Sequence, residues 1–462
     1  MVMCSVHARR LFSSALTAAA LAAVLLLAGC AGSPRVPQPQ NAAGEVADLA
    51  EVPQSLAWFA GRAPVALLRT EDGAARDMRH FRRRFFAAWQ SAKPSRDTLK
   101  FFRTVLEGSR LGYAENLRPW SADAWAEVRE NADMASCPGK ARAAITTHGT
   151  DLRLAPTLRP RFARVEGAGQ GYPFDDLQQT ALPVGTPLTV FHATRDGAWF
   201  FVETPLAEGW IQARDVAFVD RDVQNLWQSA PLAAFLADGI PLRPAGVYQA
   251  GAGLGTVLPL ASRNGVFAVF VPVRRPDGYA EAVPVPIPEG KNALVPMPLK
   301  FTAQTVARLG DGMLGQSYGW GGLYGNRDCS AMMHDLFVPF GIWLPRNSAA
   351  QARSGLFSSL EGRSAKEKDA AILREAEPFR TLLWMKGHIG LYVGKHGGRP
   401  VFFHNVWGVR SRLNDGREGR VILGRAVLTT TSPGRERPDV RQQDLLIERM
   451  RGMSLIGGRQ DD

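Results

Sequence analysis

Cysteine is scarce in this chain, which has four among 462 residues. Cys4 and Cys30 lie near the N-terminus, so Cys137 and Cys329 are the thiols expected within the folded part. Two thiols exclude a scaffold held together by several disulfides, and the sequence has no short Cys or His spacing motif of the kind that holds structural zinc. A single Cys137–Cys329 bridge, a buried inert thiol and a reactive thiol all remain open for Cys329.

Apolar segments long enough to span a membrane are also lacking. The apolar run Ala15–Ala28 is shorter than the roughly 20 residues that a spanning helix needs. The arginines before this run and the small residues between it and Cys30 indicate an export signal, and the segment resembles a bacterial lipoprotein signal. The resemblance implies that residues 1–29 are removed and that Cys30 is lipidated, which anchors a periplasmic protein. Ala31 favours the outer membrane, while an ordinary signal peptide or an uncleaved anchor is the alternative.

The charge of the chain is positive, with 55 Lys and Arg residues against 43 Asp and Glu residues. In an exported protein such an excess suits an anionic envelope, either wall polymer or lipid head groups. The nearest approach to a basic block with aromatic neighbours is FRRRFF, from Phe81. Its helical spacing predicts a solvated helix face with an aromatic underside. We therefore expect no nucleic-acid partner.

Composition and hydrophobic spacing divide the first 288 residues. Residues 30–50, rich in Pro, Gln, Ala and Gly, predict a flexible tether, and residues 51–140 repeat apolar residues at helical spacing. Residues 141–220 and 221–288 alternate apolar and polar residues between Asp-Gly, Asn-Gly and Pro turns, which predicts two small β-barrels. The first resembles the bacterial SH3-like modules of wall-associated proteins, and the second resembles them more weakly.

Residues 289–435 have the mixed helix and strand pattern of a further domain, and residues 436–462 are expected to be a C-terminal tail. The stretch YGWGGLYGNRDCSAMMHDLF places glycine and aromatic residues before Cys329, where a helix to about Phe340 is predicted to begin. Downstream, WMKGHIGLYVG and PVFFHNVWGV are predicted to be two strands joined by a turn around His396.

Two histidines lie at equal distances from that turn. His388 and His404 each lie eight residues from His396, so a simple hairpin would make them cross-strand neighbours. A thiol at a helix start beside an imidazole is expected to have a lowered pKa and to act as a nucleophile. The pattern predicts Cys329 as that nucleophile, with one histidine as base and the other orienting it. A metal pair, or histidines satisfied within the sheet, is the alternative.

The motifs DCSAMMHDLF after YGWGG, then LPRNSAAQ, then GHIGLYVG with a polar residue on the next strand, are similar to those of the NlpC/P60 family of papain-like cysteine peptidases. The upstream helical region and paired barrels also resemble exported members of that family. The resemblance implies an α+β fold, in which a papain-like domain with its cysteine helix on an antiparallel sheet follows two small SH3-like barrels and an α-helical N-terminal region. It implies neither a metal nor an organic cofactor.

The resemblance also implies roles for single residues. Cys329 would be the nucleophile, His388 the general base and acid, His404 the orienting residue, and Tyr318 an aid to the oxyanion hole. The substrate-binding positions would be Asp328, Ser330, Trp320 and Ser348, with Tyr172 on a first-barrel loop as a further candidate. Asp328 and Ser330 match positions that grip the free amine of an N-terminal L-alanine and the adjoining carboxylate. A buried carboxylate at Asp328 would then be neutralised by the ammonium of the substrate.

The activity implied by the resemblance is hydrolysis of the bond between γ-D-glutamate and a diamino acid in peptidoglycan stem peptides, through an acyl-enzyme. The expected partners are those peptides and the lipid at the anchor, and the chain is expected to act as a monomer. Two other functions compete with this one. A non-catalytic wall-binding lipoprotein would keep the barrels without turnover, and an acyltransferase on the same fold would need an apolar acceptor cleft.

Overall fold

The computed structural model describes residues 45–64, 66–108, 111–263, 266–287 and 293–457. The predicted signal segment 1–29, the predicted lipidation site Cys30 and most of the predicted tether lie outside the described residues. Within the described ranges, no helix has both the length and the apolar character needed to cross a membrane.

The N-terminal region is helical, as its spacing predicts. Its helices are α1 (Asp48–Glu51), α2 (Leu56–Ala60), α3 (Glu71–Phe85), α4 (Arg96–Glu107) and α5 (Ala122–Ala132). Hydroxyl side chains cap the starts of α2 to α5, and at α5 the Ser121 hydroxyl accepts a hydrogen bond from the Ala124 N–H at 3.1 Å. Such caps satisfy backbone donors that the first turn leaves without a partner.

These helices pack on the units that follow and form no separate body. Phe102 of α4 contacts Phe201 of the first β unit, with ring centroids 4.8 Å apart. The tether prediction is wrong at its C-terminal end, because Asp48 is buried and accepts hydrogen bonds from the backbone and hydroxyl of Thr430 at 2.6 and 2.7 Å. A carboxylate held in this way fixes the chain before α2 against the C-terminal unit.

The first β unit has the strand, hairpin, strand, turn, strand order predicted from Gly185, with the hairpin at Asp196-Gly197. Its strands are β1 (Arg142–Thr146), β2 (Thr150–Arg153), β3 (Gln178–Leu182), β4 (Pro187–Ala193), β5 (Trp199–Glu203), β6 (Glu208–Gln212) and β7 (Val216–Phe218). They form one sheet in the order β3-β2-β6-β5-β4-β1-β7. A long loop between β2 and β3 carries Tyr172.

The second β unit follows helix α6 (Arg221–Ser229). Its strands are β8 (Leu232–Phe235), β9 (Ile240–Leu242), β10 (Ala250–Ala252), β11 (Val257–Arg263), β12 (Val266–Arg274), β13 (Ala280–Pro286) and β14 (Leu294–Pro296). The sheet order is β13-β12-β11-β8-β14, with β9 and β10 paired separately. The predicted boundary at 288 is too early, because β14 pairs with β8 in register Leu294 to Phe235.

The C-terminal unit packs helices on an antiparallel sheet. Its helices are α7 (Ala303–Asp311), α8 (Cys329–Phe337), α9 (Ser348–Gln351), α10 (Ala365–Glu375) and α11 (Leu446–Arg449). Its strands are β15 (Leu356–Ser359), β16 (Thr381–Met385), β17 (His388–His396), β18 (Arg399–Arg412), β19 (Glu418–Thr430) and β20 (Met450–Leu455). Helix α8 buries Met332 and Leu336 in one cluster with Ile389 and Leu391 of β17. A tighter turn over Val338–Phe340 extends α8 to the end that the sequence predicts.

The C-terminal segment is part of the sheet, which corrects the prediction of a tail over 436–462. The strand order is β15-β20-β16-β17-β18-β19, so β20 lies inside the sheet between β15 and β16. Its Met450 and Met453 are buried with Leu383 and Phe402. Hydrophobic spacing over so short a segment could not show this, because the partners of β20 lie far away in sequence.

A chain that ends at residue 435 is expected not to fold stably. Removing β20 unpairs two strands and deletes Met450 and Met453, each worth about 2 to 5 kcal/mol by analogy with truncation of buried methionines. Thermal unfolding followed by circular dichroism checks this. A control chain that ends at residue 457 should melt like the full chain, and an unchanged melting temperature for the 435 chain would contradict the assignment.

Candidate active site

Cys329 is the first residue of α8, and the residue before it caps the helix. The Asp328 carboxylate accepts a hydrogen bond from the Ala331 N–H at 2.8 Å. Cys329 itself is only 7% exposed, and the backbone N–H of Ile389 on β17 hydrogen-bonds its sulfur. The thiol therefore lies where the helix N-terminus and strand β17 meet. Cys137 is also a free thiol, in a different core cluster, so the alternative of a Cys137–Cys329 bridge is not realised.

Arg346, which the sequence analysis did not single out, forms a bidentate ion pair with Asp328. Its two terminal nitrogens donate to the two carboxylate oxygens at 3.1 and 2.6 Å. The same guanidinium donates to the Ser330 hydroxyl at 2.9 Å and to the Thr180 hydroxyl of the first β unit at 2.6 Å. Two planar groups paired in this way fix each other in distance and orientation. Arg346 thus ties the start of α8 to the first β unit.

The prediction that Asp328 needs a substrate ammonium for its neutralisation is wrong. Besides Arg346, the carboxylate accepts hydrogen bonds from the Ser330 hydroxyl and from the N–H groups of Ala331 and Gly321. Burial acts to raise the pKa of Asp328, but the charge and hydrogen bonds of Arg346 outweigh it and lower the pKa. The carboxylate is therefore charged and fully engaged before any substrate arrives.

The two predicted histidines meet across neighbouring strands. His388 Nε2 lies 2.8 Å from His404 Nδ1. The turn between β17 and β18 lies at Gly397-Gly398, and the pairing of the two strands shifts by one residue after Tyr392. His404 therefore lies opposite Gly390 and contacts His388 diagonally. A Cβ at Gly390 would lie 2.7 Å from the His404 Cβ, so only glycine leaves room for this pairing.

A hydrogen-bond chain behind the histidines assigns their tautomers. The Thr429 hydroxyl donates to the Thr430 carbonyl at 2.8 Å, so it accepts from His404 Nε2 at 3.0 Å. His404 Nδ1 is then an acceptor, which makes His388 Nε2 the donor of their shared hydrogen bond. His388 Nδ1 is left with a free lone pair. This chain of hydrogen bonds therefore leaves His388 Nδ1 as the ring nitrogen that can accept a proton.

Burial keeps the Cys329 thiol and the His388 imidazole neutral in the resting site. It raises the pKa of the Cys329 thiol to about 12, and the Asp328 charge adds to this rise. Burial, with a smaller contribution from Arg449, lowers the pKa of His388 to about 4. Burial and the neighbouring His388 also hold the pKa of His404 well below its usual range. The expectation of a lowered thiol pKa is thus wrong for this resting site.

Aromatic side chains line the contact between the first β unit and the C-terminal unit. The Trp320 indole donates to the Asp175 carbonyl at 3.0 Å, and its ring lies 5.2 Å from that of Phe174. Trp407 on β18, a second residue that the sequence analysis missed, contacts both Phe174 and Tyr318, with centroids 5.6 and 5.9 Å apart. Burial, and then the nearby Cys329 and Asp328, raise the pKa of Tyr318 well above its usual range.

The remaining residues predicted to bind substrate lie near this contact and differ in how far they are exposed to solvent. Tyr172 is 65% exposed and hydrogen-bonds Tyr324, which is 71% exposed, so two tyrosines from different units meet at the surface. Ser330 is buried under Arg346, and Ser348 is the half-buried first residue of α9. Among the described residues, no group of three or more His, Cys, Asp or Glu side chains could hold a metal ion.

Comparison with known families assigns three parts of the chain. Residues 19–136 match the N-terminal NLPC_P60 stabilising domain, residues 160–212 match an SH3 domain of the SH3b1 type, and residues 315–412 match the NlpC/P60 family. The SH3 match falls on the first of the two predicted barrels. The NlpC/P60 match contains Cys329 and both histidines.

Two known proteins show how far the similarity reaches. The structure of an NlpC/P60 endopeptidase from Photobacterium damselae subsp. piscicida is 23% identical, covers 88% of this chain and 97% of that chain, and has a TM-score of 0.78, so the two share a fold. Gamma-D-glutamyl-L-lysine dipeptidyl-peptidase from Bacillus subtilis (strain 168) is 33% identical over 106 residues, which are 22% of this chain. This match spans 32% of that relative's length.

Thr429→Val is expected to lower kcat about 10- to 100-fold with little change in KM, by analogy with loss of groups that orient a metal-bound histidine. Without the hydroxyl, His404 can move its proton to Nδ1, which reverses the tautomer of His388. Thr429→Ser keeps the hydroxyl and should retain most activity. Steady-state kinetics with thermal unfolding checks this, and a Thr429→Val protein of normal kcat would contradict the tautomer assignment.

The pH dependence follows from the lowered pKa of His388, because the base is active when it is neutral. A folded-site pKa of about 4 keeps His388 neutral in weak acid, so kcat/KM should stay within about twofold between roughly pH 5 and pH 8. A pH profile of kcat/KM with a stable buffer series measures this. An acidic limb centred near the ordinary histidine pKa of about 6.5 would show that the base is solvated.

Proposed function

We propose that this chain, whose residues 315–412 match the NlpC/P60 family, is a cysteine endopeptidase that hydrolyses the bond between γ-D-glutamate and a diamino acid in wall-derived peptides. The observation that carries the proposal is Cys329 at the start of α8, with the oriented pair His388 and His404 on the adjoining strands. The name of the Bacillus subtilis relative, a γ-D-glutamyl-L-lysine dipeptidyl-peptidase, supports this linkage.

Acylation would begin when the Cys329 sulfur attacks the γ-carbonyl carbon of the glutamate. His388 Nδ1 takes the thiol proton in the same step, so no free thiolate need persist in the buried site. The carbonyl oxygen becomes an oxyanion, which the Cys329 N–H and the Tyr318 hydroxyl would stabilise. His388 then gives its proton to the leaving amine, the C–N bond breaks, and a γ-glutamyl thioester remains.

Deacylation would use the same groups in reverse. His388 removes a proton from water, the hydroxide attacks the thioester carbonyl, and the proton returns to the departing sulfur. His404 keeps the imidazole in one orientation and shares the positive charge of the transient imidazolium through their 2.8 Å hydrogen bond. Its own ring is held by Thr429 and by stacking on Phe402, with centroids 4.0 Å apart.

The acyl half of the substrate would lie along the first β unit. Trp320 and Ser348 would line this part of the cleft, and Tyr172 with Tyr324 would close its outer end. Ser330 would line the glutamate subsite, and the remaining N–H of Arg346 Nη2 would be the donor for the free α-carboxylate, because the Ser330 hydroxyl already donates to Asp328. Asp328 holds Ser330 and Arg346 in place, so the free amine of an N-terminal L-alanine would have to find acceptors beyond the saturated carboxylate.

The setting that suits this activity is the cell envelope. We propose that residues 1–29 are an export signal and that Cys30 is lipidated, which would place the enzyme in the periplasm at the outer membrane. Peptides trimmed there would come from wall turnover. No protein partner and no cofactor are needed for the chemistry described above.

Incubation with L-Ala-γ-D-Glu-diaminopimelate should release L-Ala-γ-D-Glu and the free diamino acid, as identified by mass spectrometry. Cys329→Ala should release neither, because it lacks the nucleophile, while its circular dichroism spectrum stays normal. Cleavage at another bond, or full activity of Cys329→Ala, would contradict the proposal.

The same assay tests recognition of the free amine. N-acetylation of the L-alanine removes its charge and should lower kcat/KM by about tenfold or more, as expected for loss of one charge-assisted contact. Equal kcat/KM for the free and acetylated peptides would show that the amine is not recognised and that sugar-linked stems are equally good substrates.

A further inference from the structure

The second β unit contacts the C-terminal unit directly behind the residues that lead into α8. Arg327 lies two residues before Cys329, and its side chain is only 11% exposed. Its Nη1 and Nη2 donate to the two carboxylate oxygens of Asp238 at 2.7 and 2.8 Å, and Nη2 also donates to the Leu254 carbonyl at 3.0 Å. Asp238 lies between β8 and β9 and Leu254 lies between β10 and β11, so two loops of the second β unit hold this guanidinium.

The other donors of Arg327 bind acceptors in the C-terminal unit. Its Nε donates to the Asp335 carboxylate on α8 at 2.6 Å, and Nη1 donates to the Gln316 side-chain carbonyl at 2.9 Å. Arg327 thus donates five hydrogen bonds, as many as a guanidinium has N–H groups. Burial acts to lower the pKa of Arg327, but the Asp335 and Asp238 carboxylates outweigh it and raise the pKa. The guanidinium is therefore charged, and all of its donors are used to join the two units.

The backbone of Arg327 is bonded on the opposite side, next to residues with a part in the proposed reaction. Its carbonyl accepts hydrogen bonds from the Gly319 N–H at 2.9 Å and from the Asn405 side-chain amide at 2.8 Å. Gly319 follows Tyr318, and Asn405 follows His404. The proposed oxyanion-hole hydroxyl and the orienting histidine are thus each one residue away from a hydrogen bond to Arg327.

Two glycines allow the second β unit to approach this closely. A Cβ at Gly253 would overlap the Asp238 carboxylate, and a Cβ at Gly255 would overlap the Asp335 carboxylate. Gly255 also has a φ of +91°, which glycine adopts more readily than any other residue. The turn before β11 therefore fits closely against both carboxylates that bind Arg327.

We infer that Arg327 is a positioning residue, through which the second β unit holds the reacting groups in place. The inference rests on the proposed peptidase function and gives the second β unit a part in it. If the guanidinium lost its anchor, the peptide unit that follows Arg327 could shift, and the Cys329 N–H proposed for the oxyanion hole would shift with it. Since the oxyanion develops only in the transition state, such a shift should lower kcat more than it raises KM.

Asp238→Asn tests the inference from within the second β unit. The variant keeps the shape of the side chain but removes the charge that faces Arg327. We expect kcat on L-Ala-γ-D-Glu-diaminopimelate to fall about 10- to 100-fold with KM within about twofold, because a misplacement of about 1 Å among reacting groups can cost about 100-fold. Arg327→Lys keeps a charge but lacks the planar fork, so its kcat should lie between those of wild-type protein and Arg327→Met.

Asp77→Asn is the matched control, because Asp77 also pairs with a buried arginine. Its carboxylate accepts a hydrogen bond from Arg69 at 2.7 Å, and Arg69 also donates to the Phe340 carbonyl of the C-terminal unit at 2.9 Å. This variant should lower the thermal unfolding temperature about as much as Asp238→Asn does, while its kcat stays that of wild-type protein. Equal losses of kcat in the two variants would overturn the inference, and so would a normal kcat in Asp238→Asn.

A spectroscopic measurement separates this inference from the peptidase proposal. In protein labelled with 3-fluorotyrosine, the fluorine resonance of Tyr318 can be identified by its absence in Tyr318→Phe. Asp238→Asn should shift this resonance, and Asp77→Asn should leave it in place. An unmoved resonance in Asp238→Asn would overturn the inference even if wild-type protein cleaves the peptide. If wild-type protein cleaves no γ-D-glutamyl peptide, the peptidase proposal fails separately, whatever the resonance shows.

Discussion

The buried ion pair between Asp328 and Arg346 is the interaction on which the site depends. Through it one carboxylate caps the helix that begins at Cys329, and one guanidinium reaches Thr180 in the first β unit. Removing either partner would leave a buried charge, which typically costs about 3 to 5 kcal/mol. The position of Cys329 and the docking of the first β unit are therefore set together.

The charges around Cys329 and His388 are set before any substrate binds. Cys329 and His388 are neutral in a desolvated centre, and Asp328, the residue before Cys329, is already paired with Arg346. In the proposed reaction, proton transfer from sulfur to imidazole would create charge only after the substrate has excluded water. In such a site the preorganised donors contribute most to lowering the barrier.

Local sequence patterns were sufficient to predict the helix start at Cys329, the strands that carry both histidines and the hairpin at Asp196-Gly197. The meeting of His388 with His404 was predicted from a turn at His396, and a shifted turn with a ladder irregularity leads to the same neighbours diagonally. The ion pair of Arg346, the hydrogen bond of Thr429 and the place of β20 in the sheet join residues far apart in sequence. Periodicity carries no information on such contacts, because it reports which face a residue occupies and not which partner it meets.

The central claim is that Cys329 attacks a γ-glutamyl carbonyl in this cleft, and an affinity label tests it directly. L-Ala-D-Glu with its γ-carboxyl converted to a diazomethyl ketone places an electrophilic carbon where the scissile bond would lie. Peptide mapping by mass spectrometry should find a single adduct on Cys329 and none on the buried Cys137. Folded protein that gains no adduct on Cys329, or that gains equal label on both thiols, would contradict the account.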